Sequence, residues 1–368
     1  MNAGLEGVVA AETRLSMVDG EAARLVIAGE TVETLAARAR FAEIASRLWR
    51  GLTPAAQEPA DIEAALGEAR IHVAAELLPQ MRALAPLSPI EALRAGIALL
   101  PDDAPMPPHL LASAAIPVII AAHWRTSRGR KPVLPRPGAT HVADFLRMLD
   151  GRDAEPEIVR ALETYLVTVS DHGMNASTFA ARVVASTAAG VISSVVAAIC
   201  ALKGPLHGGA PGPVLDMLDE IAASGGADAI RPWLEARMAG GERLMGFGHR
   251  IYRRRDPRAD VLKTVVRGLG TGHRRLAFAA EVEATALAIL GERYPDRRLD
   301  TNVEFYTAIL LDAVGLDRAL FTPAFAMGRV LGWTAHALEQ AATGRLIRPA
   351  SHYVGSLPDG MEAPLVPA

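Results

Sequence analysis

Apolar residues recur at helical spacing along most of this chain, and no stretch alternates for long between apolar and polar residues. In the segment 31–50, Leu35, Ala39, Ala42 and Ala45 lie near one helical face. Alanine and leucine are abundant, which favours helices over strands. We therefore predict an all-α fold, and the length of 368 residues allows a large core divided between two domains.

Prolines and apolar spacing together divide the chain into separate helices. Ser88-Pro89 has the form of an N-cap followed by proline at the first helical position. A basic, proline-rich stretch at 128–138 is interpreted as a linker loop. The segments predicted to be helical are 31–50, 61–84 with a break at Pro79, 88–100, 110–125, 142–149 and 156–169.

The segment 183–202 contains no charged residue and is long enough to cross a membrane. Its apolar content is weak, however, because it is rich in alanine, serine, threonine and glycine. We therefore predict a buried helix in close contact with another helix. Cys200, the one cysteine of the chain, lies in this segment, so an internal disulfide is excluded and the residue is predicted to be buried and inert.

The net charge and the N-terminal sequence limit the cellular location and the binding partners that this protein can be expected to have. The net charge of −3 gives no overall attraction to nucleic acid or to anionic membranes. The first residues show no basic segment followed by an apolar one, so no signal peptide is predicted. Together with the single cysteine, which suits a reducing compartment, these features predict a cytoplasmic protein.

The densest group of chemically useful residues lies between Met245 and Arg258. His249 follows two glycines that let the backbone approach a ligand closely, and a histidine can titrate near neutral pH. Five arginines stand between Arg250 and Arg258, and guanidinium groups pair well with carboxylates and phosphates. Spacing alone favours a glycine turn followed by a solvated basic face. The alternative is a site for an anionic substrate whose carbonyl group is polarised.

Six motifs, taken in order, resemble those of the citrate synthase family over nearly the whole chain. This resemblance favours the substrate site over the solvated basic face. The glycine and arginine motif resembles the family signature, and the motifs around His172 and His207 resemble its central motifs. The chain departs from the family at Glu304, where the family has aspartate, and at 27–30, where the family usually has a Tyr-Arg-Gly-Tyr-like stretch. The matching motifs are 4–13 with 18–21, 170–178, 204–210, 246–258, 302–306 and 348–355.

The resemblance implies a fold and a reaction. The fold would be an all-helical homodimer with the active site in a cleft between a large domain, 1–207 and 310–368, and a small domain, 208–309. The reaction would condense acetyl-CoA or propionyl-CoA with oxaloacetate, giving citrate or 2-methylcitrate and free CoA. No metal and no permanently bound cofactor is expected, and the acyl-CoA is a co-substrate.

Such a condensation needs a base, a donor for the enol oxygen and a second donor that polarises the ketone. The resemblance implies that His207 donates a hydrogen bond to the enol oxygen. His207 lies just ahead of a predicted helix N-terminus. That position is expected to lower the pKa of His207, so that the neutral ring can donate. The resemblance also implies that His249 polarises the ketone of oxaloacetate and that Glu304 abstracts the proton.

The resemblance also implies which residues bind carboxylates and CoA. His172, Arg258 and Arg329 match substrate-carboxylate residues, and Arg348 matches the arginine that reaches into the partner subunit's site. Without the resemblance, Ser170-Asp171 is interpreted as a helix cap and His172 as a core residue. The candidates for the CoA phosphates are Arg250, Arg253, Arg254 and Arg255, and for each of them a solvated face is the alternative.

Three interpretations of Glu304 remain open. The site is rearranged so that glutamate is a competent base, or the enzyme is slow because the extra methylene displaces the carboxylate by about 1 Å, which can cost about 100-fold in rate. In the third, Thr301 and Glu304 form a capping box, and the glutamate folds back to the Thr301 amide.

Two function classes follow from these interpretations. The first is the acyltransferase described above. The second is a weakly active or inactive paralogue that binds CoA or carboxylate ligands in a regulatory role. A metal site built from His207, His249 and Glu304 matches no short ligand motif. Nucleic-acid binding through 250–258 is disfavoured because Tyr252 is the only interleaved aromatic residue.

Overall fold

Most of the chain is helical, as predicted, and a small sheet near the N-terminus is the exception. The structure is a computed structural model that describes residues 4–5, 7–54, 58–208, 211–248, 252, 255–269, 273–358 and 361.

The sheet was not predicted. It consists of β1 (Ser16–Asp19), β2 (Arg24–Ile27) and β3 (Glu30–Thr31), paired antiparallel in that order. Ala28 and Gly29 turn the chain between β2 and β3 with φ values of 49° and 86°. The strands are too short for alternation to stand out in the sequence, which is why the prediction missed them.

The predicted helix over 31–50 is two helices, α1 (Val32–Arg38) and α2 (Phe41–Trp49). Ala39 between them is extended, and the backbone amide of Arg40 donates to the Glu43 carboxylate, which starts the second helix. The Glu163 carboxylate accepts the amide of Phe41, so the break depends on a residue distant in the sequence.

The other predicted helices are confirmed with ends that shift by a few residues, and Pro79 lies in a 3₁₀ turn between two of them. The helices after α2 are α3 (Pro59–Leu77), α4 (Met81–Leu84), α5 (Pro89–Ala98), α6 (Pro108–Thr126), α7 (His141–Asp150), α8 (Pro156–Thr168), α9 (Ala176–Ala185), α10 (Val191–Leu202), α11 (Pro211–Ala223), α12 (Ile230–Ala239), α13 (Pro257–Gly268), α14 (His273–Arg293), α15 (Val303–Ala313) and α16 (Phe321–Thr343).

The segment 183–202 was predicted to be one buried helix, and this is wrong. It consists of the end of α9 and all of α10, which pack against each other. The chain turns through Ala188 and Gly190, with φ values of 61° and 98°. Asp102 then caps α10 by accepting the amide of Ile192 at 2.7 Å. Cys200 on α10 is exposed, so the prediction that it is buried is wrong. Within the described ranges no helix has both the length and the apolar character needed to cross a membrane.

Helix α16 lies at the centre of the core and packs against α2, α6, α8, α9 and α10. Trp333 is fully buried, and full burial of a large apolar side chain stabilises a fold by roughly 1.5–3 kcal/mol. Gly332 allows α16 to approach the chain after α8, because a Cβ at this position would lie 2.5 Å from the Ser170 carbonyl oxygen. This close approach places α16 beside the motif that contains His172.

Candidate active site

Three of the predicted site residues lie on helices that meet in the fold, because α13, α15 and α16 all pack against α8. Arg258 lies in the first turn of α13, Glu304 in the first turn of α15, and Arg329 in the middle of α16. The charge of Arg258 acts on the pKa of both Glu304 and Arg329, so these groups share one electrostatic environment.

The turn that leads to residue 249 is joined to the turn that leads to Glu304. Phe247 and Thr301 form an isolated antiparallel bridge, in which the Gly248 amide donates to the Asp300 carbonyl at 2.8 Å. The Asn302 amide donates to the Gly246 carbonyl at 3.0 Å. His249, Arg250, Arg253 and Arg254, which were predicted to bind the ketone and CoA, lie outside the described residues.

Gly246 is required at this bridge for two reasons. Its φ is 86°, which favours glycine, and a Cβ there would lie 2.8 Å from the Phe305 ring. The glycine therefore lets the turn approach α15 directly beside the predicted base.

The capping-box interpretation of Glu304 is wrong. The helix cap is Asn302, whose Oδ1 accepts the Glu304 amide at 3.0 Å. Thr301 instead donates its hydroxyl to Glu283 at 2.8 Å. The Glu304 carboxylate is half-buried and makes no hydrogen bond within the described part of the chain, so capping does not occupy it.

Burial raises the pKa of Glu304 from its ordinary value of 4.5 to about 7, with Arg258 lowering it and Asp256 raising it. The carboxylate therefore changes charge near neutral pH, where a general base works most efficiently. Glu304 thus has the protonation behaviour that a base needs.

Glu283 on α14 holds both sides of the Glu304 turn. Its two carboxylate oxygens accept the Thr301 hydroxyl at 2.8 Å and the Tyr306 hydroxyl at 2.6 Å. Lys263 donates to the same carboxylate at 2.7 Å and neutralises it. Since Thr301 and Tyr306 flank Glu304, this buried cluster fixes the backbone of the predicted base.

Asp256 joins the predicted carboxylate arginine to the same turn. Arg258 donates to Asp256 from Nε at 3.0 Å and from a terminal nitrogen at 2.9 Å, and both groups are buried. The second oxygen of Asp256 also accepts the Val303 amide at 3.1 Å. Arg258 and the start of α15 are therefore held by one carboxylate.

Arg329 is buried with its Nε donating to the Val169 carbonyl at 2.6 Å and its guanidinium 4.6 Å from the centre of the Phe325 ring. Burial lowers its pKa to about 10, which still leaves it cationic at neutral pH. Within the described residues its two terminal nitrogens make no hydrogen bond, so they remain for an anionic ligand.

His207 lies in the turn between α10 and α11, where its Nε2 is 2.8 Å from the Ser177 hydroxyl. That hydroxyl also accepts the Trp333 indole N–H at 3.1 Å and lies 2.8 Å from the Asn175 side-chain oxygen. Burial and, to a smaller extent, the charge of Arg329 together lower the pKa of His207 to about 4. The ring is neutral at neutral pH as predicted, but the causes are burial and Arg329 rather than a helix terminus.

His172 is nearly buried, and its Nε2 is 3.1 Å from the Tyr252 hydroxyl. The neighbouring Asp171 accepts the Ser16 hydroxyl of β1 at 2.5 Å and lies 3.2 Å from His336 Nε2. Ser170-Asp171 is not a helix cap, as the interpretation without the resemblance had it, because Asn175 caps α9. The ring of His172 is therefore held by Tyr252, and the backbone beside it is held through the contacts of Asp171 with Ser16 and His336.

Arg348 is exposed and lies after α16 in a segment that forms neither helix nor strand. The preceding residue, Ile347, donates its amide to the Ser186 hydroxyl at 3.0 Å, which holds the segment beside the turn between α9 and α10. Arg348 makes no hydrogen bond or ion pair with any described residue of the same chain, so the structure does not bring it together with the other site residues.

Several residues of this arrangement were not among the predicted ones. Ser177 and Asp256 lie inside the motifs that carry the family resemblance, so those motifs were a signal for them. Trp333 and Glu283 have no local signal, because they reach the site from helices that meet only in the fold. No group of three or more His, Cys, Asp or Glu side chains in the described ranges is arranged to hold a metal ion.

The chain is similar to known proteins over nearly its whole length. The family model described as "Citrate synthase, C-terminal domain" matches residues 4–350. The chain is 38% identical to a 2-methylcitrate synthase of Mycobacterium tuberculosis, covering 96% of this chain and 90% of that protein. It is 35% identical to a citrate synthase of Acidithiobacillus ferridurans, covering 96% and 95%. The ternary complex of citrate synthase from Thermoplasma acidophilum with carboxymethyl coenzyme A and oxaloacetate superimposes with a TM-score of 0.86 at 27% identity, covering 99% and 98%.

Proposed function

The chain belongs to the citrate synthase family, and we propose that Glu304 is the base of its condensation reaction. The enzyme condenses an acyl-CoA with oxaloacetate, giving citrate from acetyl-CoA or 2-methylcitrate from propionyl-CoA, and releases free CoA. The observation that carries the proposal for Glu304 is its carboxylate, which has a pKa of about 7 and no hydrogen bond to a described residue.

In the proposed first step, the Glu304 carboxylate takes a proton from the carbon next to the thioester carbonyl. The electron pair of the broken C–H bond forms the enolate, whose oxygen accepts a hydrogen bond from neutral His207. The pKa of about 4 for His207 supports this role, because an uncharged ring keeps an N–H without releasing a full proton.

In the second step, the enolate carbon forms a bond to the ketone carbon of oxaloacetate, and the ketone oxygen receives a proton from His249. Water then attacks the thioester of the product, which releases CoA and the tricarboxylate. His172, Arg258 and Arg329 hold the carboxylates of oxaloacetate, which supplies orientation. The buried, cationic Arg329 supports this assignment.

The proposal also covers the residues that bind CoA, the oligomeric state and the domain boundaries. Arg250, Arg253 and Arg254 bind the CoA phosphates, and no cofactor is held between turnovers. The protein is a cytoplasmic homodimer in which Arg348 enters the partner's site. The large domain is 1–207 with 310–368, and the small domain is 208–309. The exposure of Arg348 beside α9 and α10 supports a role for it outside its own chain's site.

The alternative of a weakly active binding paralogue has no observation in its favour. Its motivation was the replacement of aspartate by Glu304 together with the altered stretch 27–30. The structure leaves the Glu304 carboxylate unoccupied by capping.

The test is CoA-thiol release by the purified protein with oxaloacetate, using acetyl-CoA and propionyl-CoA in separate reactions. We expect release that requires both substrates, and mass spectrometry of the product identifies citrate or 2-methylcitrate. Because one methylene is worth about 10–200-fold in a hydrophobic pocket, the ratio of kcat/KM values names the preferred thioester. Binding of oxaloacetate without release from either thioester would favour the binding paralogue.

A further inference from the structure

Tyr165 on α8 is fully buried, and its hydroxyl has no hydrogen-bond partner in the part of the chain that the structure describes. Burying a hydroxyl without a partner costs about 1–3 kcal/mol, so such groups are rare in folded proteins. The proposed mechanism does not use this residue. An unpaired buried donor next to a site suggests that its hydrogen bond forms only in the working enzyme.

The surroundings of Tyr165 contain the ionised groups of the site. Helix α8 packs against α13, α15 and α16, which carry Arg258, Glu304 and Arg329 respectively. Burial raises the pKa of Tyr165, with the two arginines opposing this effect and Glu304 adding to it. All three charges therefore lie within electrostatic reach of the phenol.

Only one of these three groups can accept a hydrogen bond from the phenol. Arginine has donors and no acceptor, so neither Arg258 nor Arg329 can pair with an O–H donor. Asp256, whose charge acts on Glu304, already accepts hydrogen bonds from Arg258 and from the Val303 amide. The carboxylate of Glu304 has no partner among the described residues, so a donor and an acceptor remain unpaired in one site.

We propose that Tyr165 is a positioning residue whose phenolic O–H donates a hydrogen bond to the Glu304 carboxylate in the working enzyme. This inference rests on the proposed role of Glu304 as base. Glutamate has one more rotatable bond than the aspartate of the family, so it needs an additional contact to fix the direction of its carboxylate. The hydrogen bond would also favour the charged, proton-accepting form.

The Tyr165→Phe variant removes the hydroxyl and keeps the buried ring, so the fold is retained and the melting temperature checks this. We expect kcat with the preferred acyl-CoA to fall about tenfold, as for loss of a hydrogen bond to a charged group. Because the lost donor favoured the carboxylate, we also expect the acid limb of the kcat/KM profile to move to higher pH by about one unit. The KM for oxaloacetate should stay within twofold. Tyr294→Phe, a half-buried tyrosine at the end of α14, is the matched control and should change none of these values.

A double-mutant cycle with Glu304→Asp separates positioning from general damage. The shorter aspartate carboxylate retracts by about 1 Å, so it loses contact with the phenol. We expect Tyr165→Phe to reduce kcat much less in the Glu304→Asp background than in the natural enzyme. Equal losses in both backgrounds would overturn the proposal.

Other outcomes also overturn the proposal. An increase in the KM for oxaloacetate with an unchanged pH profile would mean that the hydroxyl binds the substrate carboxylate. No change in either quantity would mean that a buried water satisfies the phenol. If Glu304→Gln keeps full activity, the base assignment itself has failed, and that result is distinct from any obtained with Tyr165→Phe.

Discussion

The side-chain amide of Asn302 donates a hydrogen bond to the carbonyl oxygen of Gly248 at 2.9 Å. Asn302 is also the helix cap of α15, two residues before Glu304, and Gly248 immediately precedes His249. One side chain therefore ties the segment that carries the proposed base to the segment that carries the proposed ketone donor. The proposed base and the proposed ketone donor are therefore expected to keep their relative positions during the reaction.

The first prediction concerns pH. Glu304 must be ionised to accept a proton, and its pKa of about 7 is above the ordinary 4.5. We expect kcat/KM to fall as the pH decreases through an acid limb that lies at or just below pH 7. His207, with a pKa of about 4, stays neutral across this range and contributes no limb there. A profile that is flat down to pH 5 would contradict the raised pKa.

The second prediction concerns stability. A carboxyl group whose folded pKa is raised stabilises the protein at low pH, and this contribution is lost as the pH rises from 4.5 through about 7. Glu304→Gln removes that loss, so its free energy of unfolding relative to the natural protein should increase by about 1–3 kcal/mol between pH 5 and pH 8. Denaturant titrations at both pH values measure this difference.

Glu281→Gln is the control for that experiment. Glu281 lies on the exposed face of α14, so its replacement should give the same difference from the natural protein at both pH values. A pH-independent effect of Glu304→Gln would show that the natural carboxylate is not raised in pKa by the fold.

The third prediction concerns the orientation of His207. Its Nε2 contacts the Ser177 hydroxyl at 2.8 Å, and Trp333 fixes that hydroxyl from the other side. Ser177→Ala leaves the imidazole free to rotate, so kcat should fall about 100-fold, as expected for a misplacement of about 1 Å. The KM for oxaloacetate should change little. Ser224→Ala, an exposed serine that bonds only its own helix, is the control and should have natural activity.

The fourth prediction concerns Gly332. A methyl group there would lie 2.5 Å from the Ser170 carbonyl oxygen and 2.7 Å from Asp171 Oδ1. Gly332→Ala should therefore displace the chain just before His172, raise the KM for oxaloacetate and destabilise the protein by about 1–3 kcal/mol. In contrast, a Cβ on Gly291 of α14 meets nothing within 4 Å, so Gly291→Ala should be neutral or slightly stabilising. Equal behaviour of the two variants would contradict the close packing of α16.

Helix periodicity predicted most helices, but it could not predict where two of them break. The break at Ala39 depends on Glu163, which accepts the Phe41 amide, and the start of α10 depends on Asp102, which accepts the Ile192 amide. These partners lie far away in the sequence, so local spacing contains no information about them. The exposed side of α10, which carries Cys200, was also missed, because the segment contains no charged residue to mark it.

The site was predicted through the family resemblance, while its local chemistry was not. Thr301 and Glu304 have the spacing of a capping box, and only the fold shows that Glu283 takes the Thr301 hydroxyl and Asn302 takes the cap. The lowered pKa of His207 was predicted in direction but attributed to a helix terminus, whereas burial and Arg329 are its causes. Both differences arise from side chains that converge from separate helices.

The most direct test of the account is CoA-thiol release by Glu304→Gln, measured beside the natural enzyme and Glu281→Gln, with oxaloacetate binding measured by calorimetry. Glutamine keeps the size of the side chain and cannot accept the proton. We predict that release falls by at least about 100-fold, as for loss of a general base, while oxaloacetate binding stays within a few-fold of natural. Release by Glu304→Gln at a rate close to that of Glu281→Gln would contradict the assignment of Glu304 as the base.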